Sequence, residues 1–287
     1  MVKIYLIAFS LFFANGLLAT GLKSFSAWGT TTSPSTTVSS GPTVKTNSTF
    51  YDYSLVPKYQ QYMKGFWCAN TVPEELNDGQ YCDNIQDRSV TFWINTPPFK
   101  DNLLNLVAAE TPTLETSASH NDWPICRFDG IDDHLATNRG TTVEQPYMVC
   151  GVINGSFGAL TRAVIFNSEV TGSPYARIWN GIFDGYAGNI LAGTNVISTG
   201  STYSFCYTFA GATGEIRVSG TNEASGNIGT TDLDGMKIYE RAGPGGFNLR
   251  GIFLVMARYQ LNSLNPNAAA TDWLNFTVAR YGTMDVP

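Results

Sequence analysis

Ten residues near the middle of the chain, RFDGIDDHLA (127–136), concentrate groups able to do chemistry. Asp129, Asp132 and Asp133 fall close together, beside His134, one of only two histidines. Three carboxylates converging on one turn could hold Ca²⁺, which takes about six to eight oxygens. The same residues also have a purely structural explanation. Ile125 and Arg127 belong to a strand that delivers Phe128 to the core. In Asp129-Gly130 the aspartate can bond nearby backbone N–H groups and the glycine permits positive φ, and Leu135 returns to the core. The alternating DxDxDG order of a dedicated calcium loop is absent. Strand–turn–strand is therefore the preferred reading, with Ca²⁺ held by Asp129, Asp132 and Asp133 kept as the candidate cofactor site.

A second stretch, RIWNGIFDGYAGN (177–189), carries groups suited to sugar recognition, which uses an aromatic ring for stacking and fixed polar groups around it. Trp179, Phe183 and Tyr186 are the candidate rings, and Asn180, Asp184 and Asn189 the candidate polar partners. The competing reading is that alternate aromatics in a strand pack into a core. Catalysis finds less support. A retaining glycosidase needs two carboxylates about 5 Å apart, yet Glu215 and Glu169 stand alone in their runs, and Glu110 and Glu115 flank a loop. His120 and His134 have no serine or cysteine in a recognisable nucleophile setting and read as polar surface. The chain is expected to be non-enzymatic.

Bulk properties narrow the partners. The formal charge is −6, charged residues make up 14%, and there is no run of Lys or Arg. Phosphate backbones are bound by clustered cations, so nucleic acid is not an expected partner. The N-terminus, MVKIYLIAFSLFFANGLLATG, has Lys3 ahead of an apolar run from Ile4 to Phe13. Small residues follow at Ala14-Asn15-Gly16 and Ala19-Thr20-Gly21. That is the pattern of a secretory signal over residues 1–21. If residues 4–22 are retained, they would serve as an apolar anchor, the one circumstance in which a membrane is an expected partner.

Export agrees with the five cysteines, none of which forms CxxC. With so few histidines they cannot build the usual zinc frameworks, and an oxidising compartment would allow two disulfides. Cys68 and Cys82 are close enough in sequence to close a local loop. Cys150 and Cys206 lie in strand-like runs that could be neighbours, leaving Cys126 over. Sequons at Asn47, Asn154 and Asn275 would be glycan acceptors.

The elements that must position these groups follow from composition and periodicity. Residues 22–49 form a Ser/Thr-rich linker or arm that cannot bury enough apolar surface to fold alone. Residues 50–87 turn aromatic and contain Cys68 and Cys82, as in an ordered extension that packs onto its own domain or a neighbour. From residue 88 to 287, short runs rich in β-branched and aromatic residues alternate with Gly, Asn, Asp or Pro. Examples are SVTFWIN (89–95), PYMVCGVIN (146–154), STYSFCYTFAG (201–211) and LRGIFLVMARY (249–259). Without alternating helices, this is the pattern of an all-β antiparallel sandwich or jelly roll. One helix comes last. Asn265 serves as N-cap, Pro266 opens the first turn, Leu274, Val278 and Tyr281 recur at helical spacing, and Gly282 stands at the C-cap. Trp273 and Phe276 widen its apolar face, and Asn275 points outward.

ICRFDGIDDHL followed by QPYMVCGVIN resembles the concanavalin A-like jelly-roll modules of the laminin-G-like group, which carry an FDG-x-DD turn before a strand that opens the sandwich. STYSFCYTFAGATGEIRVSG, LDGMKIYERAGPGGFNLRGIFLVMARYQLN and the terminal TDWLNFTVARYG extend the resemblance over roughly residues 88–283. It implies a jelly roll with a short C-terminal helix and, here, an extended N-terminal arm. The fold hosts lectins, adhesion modules, virion surface proteins and some hydrolases. The hydrolases of the group place their carboxylates as Glu-x-Asp-x-x-Glu on one strand, and no such run exists here. The expectation is an exported adhesion or assembly protein whose partners are glycans or other copies of itself and surface proteins. The alternative is a structural subunit that assembles through its arm. A glycoside hydrolase is the third reading.

Overall fold

The structure is a computed structural model. It describes residues 57–69, 81–85, 87, 101–105, 107–121, 123–137, 142–155, 162–169, 173–239 and 250–287. The signal or anchor segment, the Ser/Thr-rich arm, Asn47 and the SVTFWIN run lie outside the described residues.

In chain order the strands are β1 (Met63–Cys68), β2 (Asn84–Ile85), β3 (Leu103–Leu104), β4 (Thr113–Ser117), β5 (Trp123–Phe128), β6 (Leu135–Thr137), β7 (Thr142–Val143), β8 (Tyr147–Gly155) and β9 (Arg162–Asn167). They continue as β10 (Tyr175–Trp179), β11 (Ile182–Tyr186), β12 (Ile190–Ala192), β13 (Thr202–Phe209), β14 (Gly214–Val218), β15 (Thr221–Gly226), β16 (Leu233–Asp234), β17 (Lys237–Ile238) and β18 (Gly251–Gln260). One large sheet runs β15-β14-β13-β8-β18-β5-β4, a second β12-β11-β10-β9-β17-β6-β3-β2, and β7 pairs with β16 in a small two-stranded sheet. β1 joins the first sheet by pairing with β18. All these pairings are antiparallel, as expected of a sandwich.

Local sequence rules explain the hairpins. Asn180 (φ 50°) and Gly181 (φ 76°) form the two-residue turn between β10 and β11, both in the left-handed region that this connection needs. Ser219 and Gly220 do the same between β14 and β15. The inner faces of the two sheets meet in a core that includes Trp67, Phe128, Tyr147, Phe166, Phe183, Phe205 and Tyr207. The outer face of the first sheet is covered by α1 (Pro266–Tyr281), whose Trp273 and Phe276 pack against Phe66. The Asn265 side chain accepts from the Asn267 and Ala268 N–H groups, as its capping role predicts. Val278 lies 43% exposed, so the buried stripe is carried by Trp273, Phe276 and Tyr281 instead. No helix among the described residues is long and apolar enough to cross a membrane.

The aromatic segment 57–69 is built into the sandwich. β5 pairs with β18 only at Gly251–Phe253, and β1 takes the same flank of β18 farther along, from Val255 to Tyr259. Trp67 is fully buried and its Nε1 donates to the Asp101 carbonyl at 2.8 Å. Arg258, also fully buried, donates to Asp101 Oδ2 and to the Lys64 carbonyl, both at 3.0 Å.

The cysteine pairing differs from the sequence expectation in one bridge. Cys150–Cys206 links directly opposed residues of β8 and β13 as expected. The second bridge is Cys82–Cys126, not Cys68–Cys82. Cys68 is the cysteine outside both disulfides, because β1 carries it into the layer between the first sheet and α1 while Cys82 lies in the core between the sheets.

Removing Asp101 leaves a buried guanidinium without its carboxylate. Asp101→Ala should cost about 3–5 kcal/mol, more than replacing both Asp101 and Arg258 by apolar residues of similar volume, and denaturant midpoints of the two variants check this.

Candidate functional site

The Asp129 turn follows β5 and packs on the start of β18. Gly130 has φ 79°, and a Cβ there would lie 2.6 Å from the Cβ of Arg250, so the position requires glycine on two counts. Asp129 Oδ1 accepts from the Ile131 and Asp132 N–H groups at 2.8 and 3.4 Å, and Asp133 Oδ2 accepts from the Asp129 N–H at 2.7 Å. The carboxylates thus hold the turn together, as the structural reading of the sequence required. The three side chains approach within 4.8 Å of one another. Three carboxylates supply only part of the roughly six to eight oxygens of a calcium site. Two of them already give an oxygen to the turn, so the turn geometry accounts for the cluster without an ion.

The carboxyl of Asp133 is buried, and this desolvation pushes its pKa up to about 6, with the charges of Asp129 and Asp132 adding to the effect and the Asp129 N–H and His134 opposing it.

Beside this turn opens a cavity of about 790 Å³. Its polar walls come from Asp129 and Asp133, from Arg127 on β5, from Asn154 at the end of β8 and from Arg250 just before β18; Thr113 and Tyr81 form another side. Tyr81 is 47% exposed. The Cys82–Cys126 disulfide fixes it there, together with the bond from Cys82 N–H to the Pro112 carbonyl and a backbone bridge between Tyr81 and Thr113. Arg127 is paired with Glu115 at 2.7 Å. Arg250 is exposed and, among the described residues, has no ion-pair partner.

The sequence candidates in RIWNGIFDGYAGN are divided by the strand alternation. Phe183 faces inward and is a core residue, 2% exposed, which corrects its assignment as a ligand-stacking ring. Trp179 and Tyr186 lie on the outer face of the second sheet, together with Tyr175 and Arg177, which the sequence reading did not single out. There the rings stack on their neighbours. Tyr175 and Tyr186 are nearly parallel with centroids 5.1 Å apart, and the Arg177 guanidinium lies 4.8 Å from the Tyr175 ring and 3.9 Å from the Trp179 ring. Asp184 is buried and accepts from Arg177 Nε at 2.7 Å, which removes it as a free polar partner. Asn180 is a turn residue, and Asn189 donates to Asn227. The six residues do not form one site.

Other expectations resolve locally. His120 is buried rather than superficial, its Nε2 3.1 Å from Thr202 Oγ1; burial, followed by the nearby Arg127, lowers its pKa and keeps it neutral. The Asn154 amide donates to the Gly200 carbonyl and to Thr202 Oγ1, which commits the nitrogen that a glycan would need. Asn275 is exposed, whereas Thr277 of the same sequon is fully buried against Ser204. The signal that pointed to the cavity was the FDGIDD turn. Tyr81 and Arg250 gave none, because only the disulfide and the β18 pairing bring them to it.

Neither a protein-family model nor a curated protein matches the sequence. Solved structures with a similar fold include domain 4 of an extracellular arabinanase from Geobacillus stearothermophilus in complex with arabinotriose. That match has a TM-score of 0.45 at 12% identity and covers 57% of this chain and 81% of that one. A heptameric pentraxin from Limulus polyphemus matches at TM-score 0.40 and 15% identity, covering 51% and 79%. A Trypanosoma rangeli sialidase in complex with sialic acid matches at 0.48 and 12%, covering 75% of this chain and 32% of the sialidase, about a third of its length. At such identities and TM-scores the likeness assigns neither a ligand nor an activity.

The Asp133 carboxyl gives a testable sign. The folded protein keeps this proton up to about pH 6, while the unfolded chain releases it near the ordinary value of 3.8. Between those values the folded state binds more protons, so this group's contribution to stability falls as pH rises and is gone above about 6. Thermal melts from pH 3.5 to 7 should show that slope in the natural protein and a flatter profile in Asp133→Asn.

Proposed function

We propose that this protein is a non-enzymatic, exported glycan-binding module of the laminin-G-like kind, which recognises its ligand in the cavity beside the Asp129 turn. The observation that carries the reading is the combination found there: an open cavity of mixed polar and apolar lining, with a half-exposed tyrosine, Tyr81, next to a disulfide-bonded cysteine at its edge. Sugars are bound by just such a pairing of one stacking surface with several directional hydrogen-bonding groups. Two disulfides support an oxidising compartment and hence export. Adhesion, through glycans on another surface or on other copies of the chain, is the role that follows.

One observation favours a second reading, a hydrolase. Asp129 and Asp133 have carboxylate oxygens within 4.8 Å of each other, and Asp133 has the raised pKa of an acid catalyst. Against it, the Glu-x-Asp-x-x-Glu run of the group's hydrolases is absent, and both carboxylates serve the turn from which they rise, each holding one of its backbone N–H groups.

Glycan-array screening followed by titration of the best ligand tests the reading. Tyr81→Ala should weaken binding about tenfold or more, and Trp179→Ala on the outer face should leave it unchanged. Turnover of any bound glycan that disappears in Asp133→Asn would favour the hydrolase instead.

A further inference from the structure

The cavity's charges carry more information than its polarity. Among the described arginines, Arg127, Arg177, Arg217 and Arg258 each meet a carboxylate at 2.7–3.2 Å, and the buried Arg280 donates to the Tyr281 hydroxyl and lies against the Trp123 ring. Arg250 meets no carboxylate, although it lines a cavity that also contains two aspartates. Its backbone is held by the Gly130 turn, which packs against the Arg250 Cα and N at 3.0 Å from where a Gly130 Cβ would stand. Arg250 thus lines the cavity as an exposed residue whose charge no carboxylate of the described residues meets.

The opposite requirement comes from the turn. Asp129 commits Oδ1 and Asp133 commits Oδ2 to backbone N–H groups, so each of these two lining residues keeps a second carboxylate oxygen able to accept from a ligand. Asn154 commits its Nδ2 to Gly200 and Thr202, so its Oδ1 is a third acceptor. The cavity thus offers one uncommitted cation and several acceptors. A bare anion such as phosphate would satisfy Arg250 but meet the aspartates as a like charge. A neutral sugar would satisfy the acceptors through its hydroxyls and leave the guanidinium without a counter-charge.

We propose that the cavity selects a sugar acid, with the sugar's carboxylate on Arg250 and its hydroxyls donating to Asp129, Asp133 and Asn154. The proposal rests on the glycan-binding reading above and narrows it to a ligand class. Tyr81 supplies the apolar surface for the ring, and Arg127, engaged with Glu115, has only a supporting part in the field.

The test is calorimetric titration of the full chain with D-glucuronate, D-galacturonate and short oligogalacturonates, against glucose, galactose and inorganic phosphate, at two salt concentrations. A uronate or its oligomer should bind at least tenfold more tightly than its neutral parent, with the preference shrinking as salt rises. Arg250→Gln should bring acid and neutral forms to equal affinity. Because Arg250 is exposed, the variant should melt at the natural temperature, which separates lost recognition from lost folding. Equal affinity for acid and neutral sugars, or a preference that survives Arg250→Gln, would overturn the sugar-acid assignment and leave glycan binding standing. Phosphate binding that alone depends on Arg250 would replace it with a simple anion site. Failure of every sugar, acid or neutral, to bind would sink both readings.

Discussion

A single buried charge organises much of the sandwich. Arg258 sits near the C-terminal end of β18, a ten-residue strand with nine buried residues, and its guanidinium is fully buried. A cation in that position is tolerable only if partners come to it. They come from the Lys64 carbonyl and from Asp101, two segments far from Arg258 in sequence. Asp101 in turn receives the indole N–H of Trp67. The pair therefore draws β1 and the approach to β3 onto the C-terminal half of the protein. It also fixes β18, whose first residue, Gly251, lines the cavity together with Arg250 just before it.

The same long-range ties explain what the sequence could and could not reveal. Features set by neighbours a few residues apart were legible: the Asp129-Gly130 turn, the Asn265 cap, and the paired strand character of Cys150 and Cys206. Each obeys a local rule about φ, hydrogen-bonding side chains or alternation. The pairing of β1 with β18 was not legible, since Trp67 lies opposite Met256 across most of the chain. Without that pairing, proximity favoured Cys82 with Cys68. Once β1 and residue 82 are assigned to different layers, Cys82 has Cys126 as its neighbour.

The face assignments around Trp179 were half legible. With the turn placed at Asn180-Gly181, Ile182, Asp184 and Tyr186 share one face and Phe183 must take the other. Trp179 and Tyr186 then follow with Tyr175 and Arg177 by the register alone. Local pattern could not show that these outer-face groups would spend themselves on each other. That depends on cross-strand distances set by the twist and register of two strands.

This difference in how groups are spent decides between the two polar-aromatic regions of the molecule. On the outer face of the second sheet, Arg177 is held by Asp184 and lies against the rings of both Tyr175 and Trp179, and Tyr186 lies against Tyr175. A ligand arriving there would have to displace contacts already made, and ordering gained within the fold is not available again for binding. In the cavity the arrangement is the reverse. The disulfide ties the chain beside Tyr81, the glycine turn packs on the Arg250 backbone, and backbone N–H groups each engage one oxygen of Asp129 and Asp133. The chain that carries these groups is fixed while polar atoms on them remain uncommitted, so part of the entropy of orienting them is met in folding and not in binding. That is the physical condition for a recognition site, and among the described residues it is satisfied beside the Asp129 turn.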